Sequence, residues 1–468
     1  MSHDLSESEP ASYTPLASAL RNLSLTGFNS FHSMPLSGGR SIQTSVLRDQ
    51  YSKLFGADYL RSDLTITVEH FDTFFFGKQV IHEAENLAAR LFGADGTFFV
   101  TSGTTVSNQI ALDALYEKGG RVLLDKTCHQ SMHFGLHRHH AALDYLQPAW
   151  SCSRTDKTMW LPSDLLAMVL KAEREDRPYQ LIVLNAHSYD GVVYDVPGLI
   201  EFLKENGAST VSFLIDEAWG AANYFQSDLK QLTAMGARRL AARWPDLRIV
   251  ATQSAHKSMS CLRQASMIHY CGDSNLAARL KVSRFRLHTT SPSYPILASL
   301  DLARAQMAAE GTALLARATS LAENFRQELR RLLGDDAVNT DSFDREAFQF
   351  SHSDPTKVSV NTDVLGIPAR DVKEMLFCKH GVYVNRITDA SMLFNFHIGI
   401  DAEAAQAPIV ALEEIATHRI APQLSRSEGF IIPYPPGVPL VVPGQQITAA
   451  IQRQIKNIQR NGVHVFYA

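Results

Sequence analysis

Between residues 61 and 300 the chain alternates short, uninterrupted apolar runs with segments of helical pattern, and this alternation limits the possible folds more than any other feature. Strands that are apolar on both faces are buried on both faces, which is typical of a mostly parallel sheet covered by helices. Helical segments between the runs include Ile81–Phe92 and Leu199–Glu205. The runs that we interpret as strands are Thr97–Thr101, Arg121–Asp125, Leu181–Asn185, Phe213–Asp216, Ile249–Gln253 and Ala265–His269. This region therefore predicts an α/β fold.

The rest of the chain predicts two further parts. We interpret residues 1–60 as an N-terminal arm, 61–300 as a large domain and 301–468 as a smaller C-terminal α/β domain. A long helix over Pro295–Leu333, broken near Gly311, is predicted where the two domains meet. Beyond it the pattern predicts strands at Lys357–Asn361, Val382–Asn385 and Met392–His397 and a helix at Ala402–Ile420. The proline-rich stretch 433–446 predicts a stiff loop that either borders a binding site or is a surface tail.

Composition excludes several classes of protein. A net charge of −4 gives no electrostatic reason to bind nucleic acid or an anionic membrane, and no apolar run approaches the ~20 residues of a membrane helix. The acidic, polar residues 1–9 do not resemble a signal peptide. The five scattered cysteines, without C-x-x-C spacing, argue against a disulfide framework and a zinc site. We therefore expect a cytoplasmic protein without a metal centre that binds neither nucleic acid nor a membrane.

Two charged residues end two of the predicted strands. Asp216 closes the run Val211–Ile215, and Lys257 follows the run Leu247–Ala251 in a Ser-x-His-Lys turn. Ligands of parallel sheets bind at the carboxyl ends of the strands. Each residue alone is equally compatible with a charge in a solvated loop. Together they are what pyridoxal 5'-phosphate (PLP) requires, because a lysine forms its Schiff base and an aspartate keeps its pyridine nitrogen protonated.

A turn with a glycine supplies the third part of such a site. Ser102, Gly103, Thr104 and Thr105 follow the first predicted strand and begin a helix, where backbone N–H groups and small hydroxyls form an anion site. Ser254, three residues before Lys257, adds a hydroxyl. Alone this signal is weak, because Ser and Thr are common helix caps. Beside the aspartate and the lysine it predicts a phosphate site.

Two residues near other strand ends stay ambiguous at this point. His129 follows the strand Arg121–Asp125, where an imidazole could stack on a cofactor ring, although a single histidine is more often structural. Asp190 follows Leu181–Asn185 and could serve the site or close a turn.

At this point the motifs resemble those of the ornithine/lysine/arginine decarboxylases, over about residues 28–446. The matching segments are Phe-Phe-Val-Thr-Ser-Gly-Thr-Thr (98–105), Cys-His-Gln-Ser (128–131), Ser-Tyr-Asp-Gly (188–191), Asp-Glu-Ala-Trp-Gly (216–220), Ser-Ala-His-Lys (254–257), Gln-Ala-Ser-Met (264–267), Thr-Ser-Pro-Ser-Tyr (290–294), Asp-Pro-Thr-Lys (354–357) and Pro-Tyr-Pro-Pro-Gly-Val-Pro-Leu (433–440). The resemblance implies PLP fold type I, the aspartate-aminotransferase-like fold, with a mostly parallel seven-stranded sheet and a smaller C-terminal domain.

The resemblance also implies roles for individual residues. Lys257 corresponds to the Schiff-base lysine, Asp216 to the partner of the pyridine nitrogen, and His129 to the residue that stacks on the ring. The remaining implied roles are phosphate binding by Ser102, Gly103, Thr104, Thr105 and Ser254, contact with the departing carboxylate by His256, a border to the ring oxygen by Trp219, and a reach to the phosphate of a partner subunit by Thr290 and Ser291. A homodimer or higher homo-oligomer, with its active site at the interface, is implied as well.

Several positions depart from the family pattern. Gln445 stands where the family has a glutamate, Asn385-Arg386 where it usually has Glu-Lys, and Pro35-Leu36-Ser37-Gly38 where it has Pro-Gly-His-Lys. The N-terminal wing domain of the larger bacterial members has no counterpart here, so we expect a dimer or a dimer of dimers. Because the three changes at Gln445, Asn385-Arg386 and residues 35–38 lie in parts expected to shape substrate binding, the resemblance predicts the cofactor more firmly than the substrate.

The expected reaction is decarboxylation of a basic L-amino acid (lysine, ornithine or arginine) to the amine and CO2, with His256 or Lys257 returning a proton to the α carbon. Two alternatives stay open. One is another PLP reaction on a basic amino acid or its derivative, such as oxidative deamination, elimination or carbon-bond formation. The other is a catalytically silent protein that binds PLP or regulates a partner enzyme. A role in polyamine biosynthesis would follow by analogy alone.

Overall fold

The described part of the chain divides into two units. The computed structural model describes residues 10–26, 28–64, 71–339, 343–417, 426–435, 437–447, 451, 454–455, 458–459 and 462–467. The first unit comprises the described residues up to Ser151 together with Thr158–Arg317 and Phe343–Asp354, and the second comprises Cys152–Lys157 and the described residues from Ala318 and from Pro355 onward. The long helix is thus divided at Arg317, whereas the sequence suggested a boundary at residue 300. The predicted three-part domain division stays a prediction.

A seven-stranded sheet forms the centre of the first unit, among the described residues. Its strands are β1 (Gly96–Val100), β2 (Arg121–Asp125), β3 (Ala142–Leu146), β4 (Tyr179–Asn185), β5 (Ser212–Asp216), β6 (Arg248–Gln253) and β7 (Ser266–Cys271). They lie in the order β1-β7-β6-β5-β4-β2-β3. Strand β7 is antiparallel to both of its neighbours, and the pairs from β6 to β3 are parallel. The prediction of a mostly parallel sheet is confirmed, and the predicted runs overlap all of these strands except β3.

Helices cover the sheet because its strands are apolar on both sides. In β4, Leu181 and Val183 pack into one core, while Ile182 and Leu184 on the opposite face are also buried. Complete burial of such a side chain contributes roughly 1.5–3 kcal/mol. The longer helices of this region are Val80–Phe92, Gly103–Leu115, Gln130–Arg138, Pro162–Arg174, Val196–Glu205 and Ser274–Leu287. Strand β3 escaped prediction because, at the edge of the sheet, only Leu146 of its five residues is buried.

Shorter elements complete the first unit. Its N-terminal part contains the helices Pro15–Leu25, Arg48–Phe55 and Ala57–Ser62 and the 3-10 helix Ser37–Ile42. Further short elements are the helices Ser227–Lys230 and Ala255–Ser258, the 3-10 helices Ala221–Phe225 and Ala234–Ala242, and the strand Val192–Tyr194, which pairs antiparallel with Ser351–Ser353. Elsewhere in the described chain, the short strands Trp150–Cys152 and Lys157–Met159 pair with each other.

The long helix runs without interruption from Tyr294 to Leu333, so the predicted break near Gly311 is wrong. A Cβ atom at Gly311 would lie 3.0 Å from the ring of Phe225 and 3.1 Å from Met307. The glycine is therefore explained by close packing on Phe225, not by a turn.

The second unit has its own apolar core. The antiparallel strands Lys357–Asn361 and Ser391–Asn395 pack with the helices Ala369–His380 and Ala402–Thr417, around Val360, Leu376, Met392 and Leu412. Its other elements are the 3-10 helices Asp335–Ala337 and Thr362–Leu365 and the paired strands Ile431–Tyr434 and His464–Tyr467.

One strand prediction in this unit is wrong. Val382–Asn385 has no strand structure. Gly381, with φ +65°, ends the preceding helix, and Val384 reaches the core from a loop in which the Tyr383 hydroxyl donates to Asn385 Oδ1. The predicted end of the last helix, 418–420, lies outside the described residues. No helix in the described part of the chain has the length and apolar character needed to cross a membrane.

Candidate active site

The carboxyl ends of three neighbouring strands bring the predicted residues together. Asp216 is the last residue of β5 and lies between Asn185 of β4 and Thr252 of β6 in the register of the sheet. Its side chain is almost completely buried. The chain leaves β6 at the same edge and enters the single helical turn Ala255–Ser258, which carries Lys257.

Lys257 lies against an aromatic side chain. Its backbone N–H donates to Ser254 O over 2.9 Å, and its Nζ is 4.1 Å from the centroid of the Trp219 ring. Tyr189 packs on Trp219 in a T-shaped arrangement, at 4.7 Å between ring centroids and 79° between ring planes. The face of an indole ring attracts a cation, so this pair stabilises a positive charge on the lysine nitrogen.

Burial dominates the electrostatics of Asp216. It raises the pKa of this carboxyl group, whereas the N–H of Ala218, which donates to Oδ1 over 3.0 Å, and the charges of Lys257 and His129 oppose the rise. Since the balance leaves the pKa raised, the ionised carboxylate is unfavourable unless a further positive partner contacts it. A protonated heterocyclic nitrogen is a partner of that kind.

A cluster of hydroxyl groups lies beside the start of the helix Gly103–Leu115. Thr104 Oγ1 is 2.5 Å from Ser254 Oγ and 2.9 Å from Ser266 Oγ, and Ser107 Oγ is 2.8 Å from Ser266 Oγ. Thr104 is buried, but its neighbour Thr105 is exposed. Backbone N–H groups in the first turn of a helix lack partners within the helix. Together with the positive end of the helix dipole, this region is suited to a phosphate group.

Backbone geometry at the start of this helix requires a glycine. Gly103 has φ +75°, in the left-handed region that side chains disfavour, and its N–H donates to Gln264 O over 2.9 Å. Ser102 precedes the helix and is half-buried.

A chain of hydrogen bonds orients His129. Its Nδ1 accepts from the N–H of Ser131 (3.3 Å) and lies 2.8 Å from Ser131 Oγ, which accepts from Asn108 Nδ2 over 2.9 Å. Thr252 Oγ1 in turn donates to Asn108 Oδ1 over 2.6 Å. Asn108 also hydrogen-bonds Asp216 and thereby lowers the pKa of that carboxyl group.

Sequence reasoning missed this chain of Ser131, Asn108 and Thr252, and it missed Ser266 as well. All four are buried polar residues in otherwise apolar strands or helices. That pattern was a usable signal, because a buried polar side chain needs a specific partner.

His256 is held in one orientation by its ring Nδ1, which lies 2.9 Å from Ala265 O and donates to it. Burial lowers the pKa of His256, and the charges of Lys257 and Arg263 lower it further, although the bond to Ala265 opposes them. The ring is therefore neutral at neutral pH, with Nε2 as an acceptor.

The structure does not bring every predicted residue into the cluster. Thr290 and Ser291 are exposed, and the backbone N–H of Ser291 donates a hydrogen bond to Thr289 Oγ1. Asp190 is half-buried in the turn that also carries Tyr189. Within the part of the chain that the structure describes, no group of three or more His, Cys, Asp or Glu side chains is arranged to bind a metal ion.

The mostly parallel seven-stranded sheet covered by helices is that of PLP fold type I. The crystal structure of the lysine decarboxylase from Francisella novicida shares this fold, with a TM-score of 0.76 at 21% identity over 96% of this chain and 77% of that one.

The family model of the Orn/Lys/Arg decarboxylases, major domain, matches residues 14–404, and the chain belongs to this family. It is 28% identical over 415 residues to the lysine decarboxylase of Hafnia alvei, covering 81% of this chain. It is 27% identical over 438 residues to the arginine decarboxylase of Bacillus subtilis (strain 168), covering 85% of each. The chain spans 54% of the length of the Hafnia alvei protein.

Proposed function

We propose that this protein binds PLP and uses it to decarboxylate a basic L-amino acid, namely lysine, ornithine or arginine, to the corresponding amine and CO2. The observation that carries the proposal is the meeting of Asp216, Lys257 and the hydroxyl cluster of Thr104 and Ser254 at one edge of the sheet. Membership of the Orn/Lys/Arg decarboxylase family supports the reaction class.

The residues at this edge fit the chemistry of the cofactor. A phosphate matches the hydroxyls of Ser102, Thr104, Thr105 and Ser254 and the N–H groups that follow Gly103. A pyridine nitrogen matches the buried carboxyl group of Asp216, whose ionised form needs a positive partner. An aldehyde matches the amine of Lys257.

When bound, PLP supplies an electron sink that accepts the electron pair left on the α carbon as CO2 departs. Asp216 would keep the ring nitrogen protonated and so favour this electron flow. His129, oriented through Ser131, would lie against the ring. Trp219 would border it and contact the amine of Lys257.

Protons are handled by Lys257 and His256. The lowered pKa of His256 makes its imidazole a poor proton donor near neutral pH, which favours Lys257 as the group that returns a proton to the α carbon. A neutral His256 also does not stabilise the substrate carboxylate by charge, so it does not oppose conversion of that carboxylate into neutral CO2.

The proposal extends to assembly and location. A cytoplasmic homodimer or higher homo-oligomer would place the exposed Thr290 and Ser291 against the phosphate site of a partner subunit. The substrate would be a small molecule, and neither nucleic acid nor membrane would take part.

The test is mass spectrometry of the products after the PLP-loaded protein has been incubated in air with lysine, ornithine and arginine separately. A product lighter by one CO2 from one of them supports the proposal and identifies the substrate. Oxidised products, or no turnover of any of the three, would contradict it and favour another PLP reaction.

A lysine variant separates an enzyme from a silent binding protein. Lys257→Ala should abolish both turnover and the visible absorbance of the lysine-bound cofactor. Lys118→Ala, which removes an exposed lysine in a loop, should change neither. Full turnover by Lys257→Ala would exclude this lysine from the reaction.

A further inference from the structure

A buried pair of polar side chains beside the site, His187 and Asp354, has no role in the function proposed above. His187 follows β4, and Asp354 follows the strand Ser351–Ser353. Their side chains are 2% and 6% exposed, and His187 Nε2 lies 3.2 Å from Asp354 Oδ2, at an angle outside hydrogen-bond geometry. Burying a carboxyl group and an imidazole together is costly, so a pair of this kind is weak evidence for stability and calls for another explanation.

Asp354 contacts the turn that carries Tyr189 in two ways. Its backbone N–H donates to Gly191 O over 2.9 Å, and its carboxylate faces His187, two residues before Tyr189. The turn closes on itself, because Ser188 N donates to Val192 O over 2.9 Å and Val192 N donates to Ser188 Oγ over 3.0 Å. The internal shape of the turn is set by its own hydrogen bonds, and Asp354 holds the turn as a whole in position.

His187 contacts the segment that carries Asp216 and Trp219. Its Nδ1 lies 3.1 Å from Asn223 Nδ2, so the amide donates to the ring, and the other ring nitrogen, Nε2, lies on the side of Asp354. A Cβ atom on Gly220, the residue after Trp219, would lie 3.4 Å from His187 Nδ1. The imidazole is thus packed directly on the chain next to Trp219.

The two segments meet again at the site. Tyr189 from the turn packs on Trp219 at 4.7 Å between ring centroids, and Lys257 Nζ lies over the indole at 4.1 Å from its centroid. Cation–π attraction depends on where the cation lies over the ring. The position of the indole therefore controls how strongly a positive charge on the lysine nitrogen is stabilised.

We propose that the buried His187–Asp354 pair is a positioning element, which fixes the Tyr189 turn relative to Trp219 and thereby sets the contact between the indole face and Lys257. This inference rests on the proposed function. His187 and Asp354 are positioning residues: they act through Tyr189 and Trp219 and do not themselves touch the reacting atoms.

The primary test is Asp354→Asn, which keeps the size of the side chain but removes its charge. Displacement of reacting groups by about 1 Å can lower a rate by about a hundredfold, so kcat should fall by roughly ten- to a hundredfold while KM changes little. The pH at which the visible absorbance of the loaded protein changes should shift downward by about half a unit or more, because a weaker cation–π contact disfavours the protonated lysine nitrogen.

A readout without cofactor tests the same inference. Near-ultraviolet circular dichroism of the unloaded protein reports the packing of Tyr189 on Trp219. It should change in Asp354→Asn and in Tyr189→Leu, and combining the two substitutions should add little to either. The far-ultraviolet spectrum should stay that of the parent.

Two controls cover misfolding and general loss of stability. If Asp354→Asn does not fold, His187→Leu/Asp354→Leu removes both partners and leaves no unpaired buried charge. Asp301→Asn is the matched control, since Asp301 is also buried and Oδ1 accepts from Arg304 over 2.6 Å. It should leave the absorbance transition and the near-ultraviolet spectrum unchanged.

The outcomes separate this inference from the proposed function. A parent protein that decarboxylates none of the three amino acids refutes the function, while the near-ultraviolet spectra of unloaded variants still test the positioning. If the parent is active but a folded Asp354→Asn, or the double leucine variant, keeps the parent's kcat, absorbance transition and near-ultraviolet spectrum, the inference is overturned. The same changes in Asp301→Asn would overturn it too.

Discussion

The same substitution at two adjacent threonines should affect different properties, the stability of the cofactor-free protein at one and the affinity for PLP at the other. Thr104 and Thr105 both lie in the first turn of the helix Gly103–Leu115, and both are proposed phosphate ligands. Thr104 is buried, with its hydroxyl between Ser254 and Ser266, whereas Thr105 is exposed. Valine replaces each hydroxyl by a methyl group at nearly constant volume, so Thr104→Val and Thr105→Val are matched.

The size of each effect follows from these contacts. Thr104→Val removes two hydrogen bonds within the protein, each worth about 0.5–1.5 kcal/mol, so the unfolding free energy of the cofactor-free protein should fall by about 1–3 kcal/mol. Ser266 keeps its bonds to Ser107 and Gln253, but Ser254 loses this partner. Thr105→Val should change that free energy by less than about 0.5 kcal/mol, because the side chain is exposed.

The affinity for PLP should depend on the exposed Thr105. A hydrogen bond from Thr105 to a charged phosphate is worth about 1.5–3 kcal/mol, so Thr105→Val should weaken PLP binding roughly 10- to 150-fold without loss of stability. Urea unfolding of the cofactor-free variants and titration with PLP measure the two quantities. Parent-like stability in Thr104→Val would refute the proposed hydroxyl cluster, and parent-like affinity in Thr105→Val would remove its hydroxyl from the phosphate site.

Three further predictions concern buried side chains that can ionise. Asp216→Asn should abolish most turnover yet raise the unfolding free energy of the cofactor-free protein at pH 7. Burial raises the pKa of the Asp216 carboxyl group, so the destabilisation caused by its ionised form is present above that pKa and disappears as the pH falls. Urea unfolding at pH 7 and 5 should therefore show a smaller stabilisation by the asparagine at the lower pH. His269→Gln should reduce the fall in unfolding free energy as the pH is lowered from 7 to 5. Burial lowers the pKa of His269 to about 3, so between about pH 6.5 and 3 only the ring in the unfolded chain takes up a proton. Urea unfolding at pH 7, 6 and 5 measures this difference. Glu85→Gln should cost roughly 3–5 kcal/mol in urea unfolding, since it leaves the buried Arg284 guanidinium, 2.6 Å away, without its counter-charge.

Each of these has a result that contradicts it. A cofactor-free Asp216→Asn protein less stable than the parent at pH 7 would show that the carboxylate is favourably paired. An unchanged acid slope in His269→Gln would mean that the ring titrates in the folded protein. A cost for Glu85→Gln no larger than that of Asp58→Asn, in the exposed pair with Arg61, would mean that burial does not strengthen the Arg284 pair.

Sequence patterns predicted the parts of the fold in which a single physical requirement decides the residue type. A parallel strand buried on both faces needs continuous apolar residues, so β4, β5 and β6 were visible in the sequence. Strand β3 was not, because an exposed edge strand needs no such run. The predictions at Gly311 and Val382–Asn385 were wrong for a related reason, because a glycine and a short run with valines each occur in several kinds of structure. Only the neighbouring residues decide between them: Phe225 at Gly311, and the core around Val384 in the second case.

The same distinction applies to the site. Asp216, Lys257 and the turn at Gly103 could be located from the sequence alone, because the carboxyl ends of parallel strands converge on one edge whatever the details of packing. The contacts among them depended on the tertiary structure. Thr104 meets Ser254 and Ser266 across 150 and 162 residues of chain, and Trp219 contacts both Lys257 and Tyr189, which come from different segments. No local pattern encodes such distances, because they arise only when separately formed strands and turns are packed against one another.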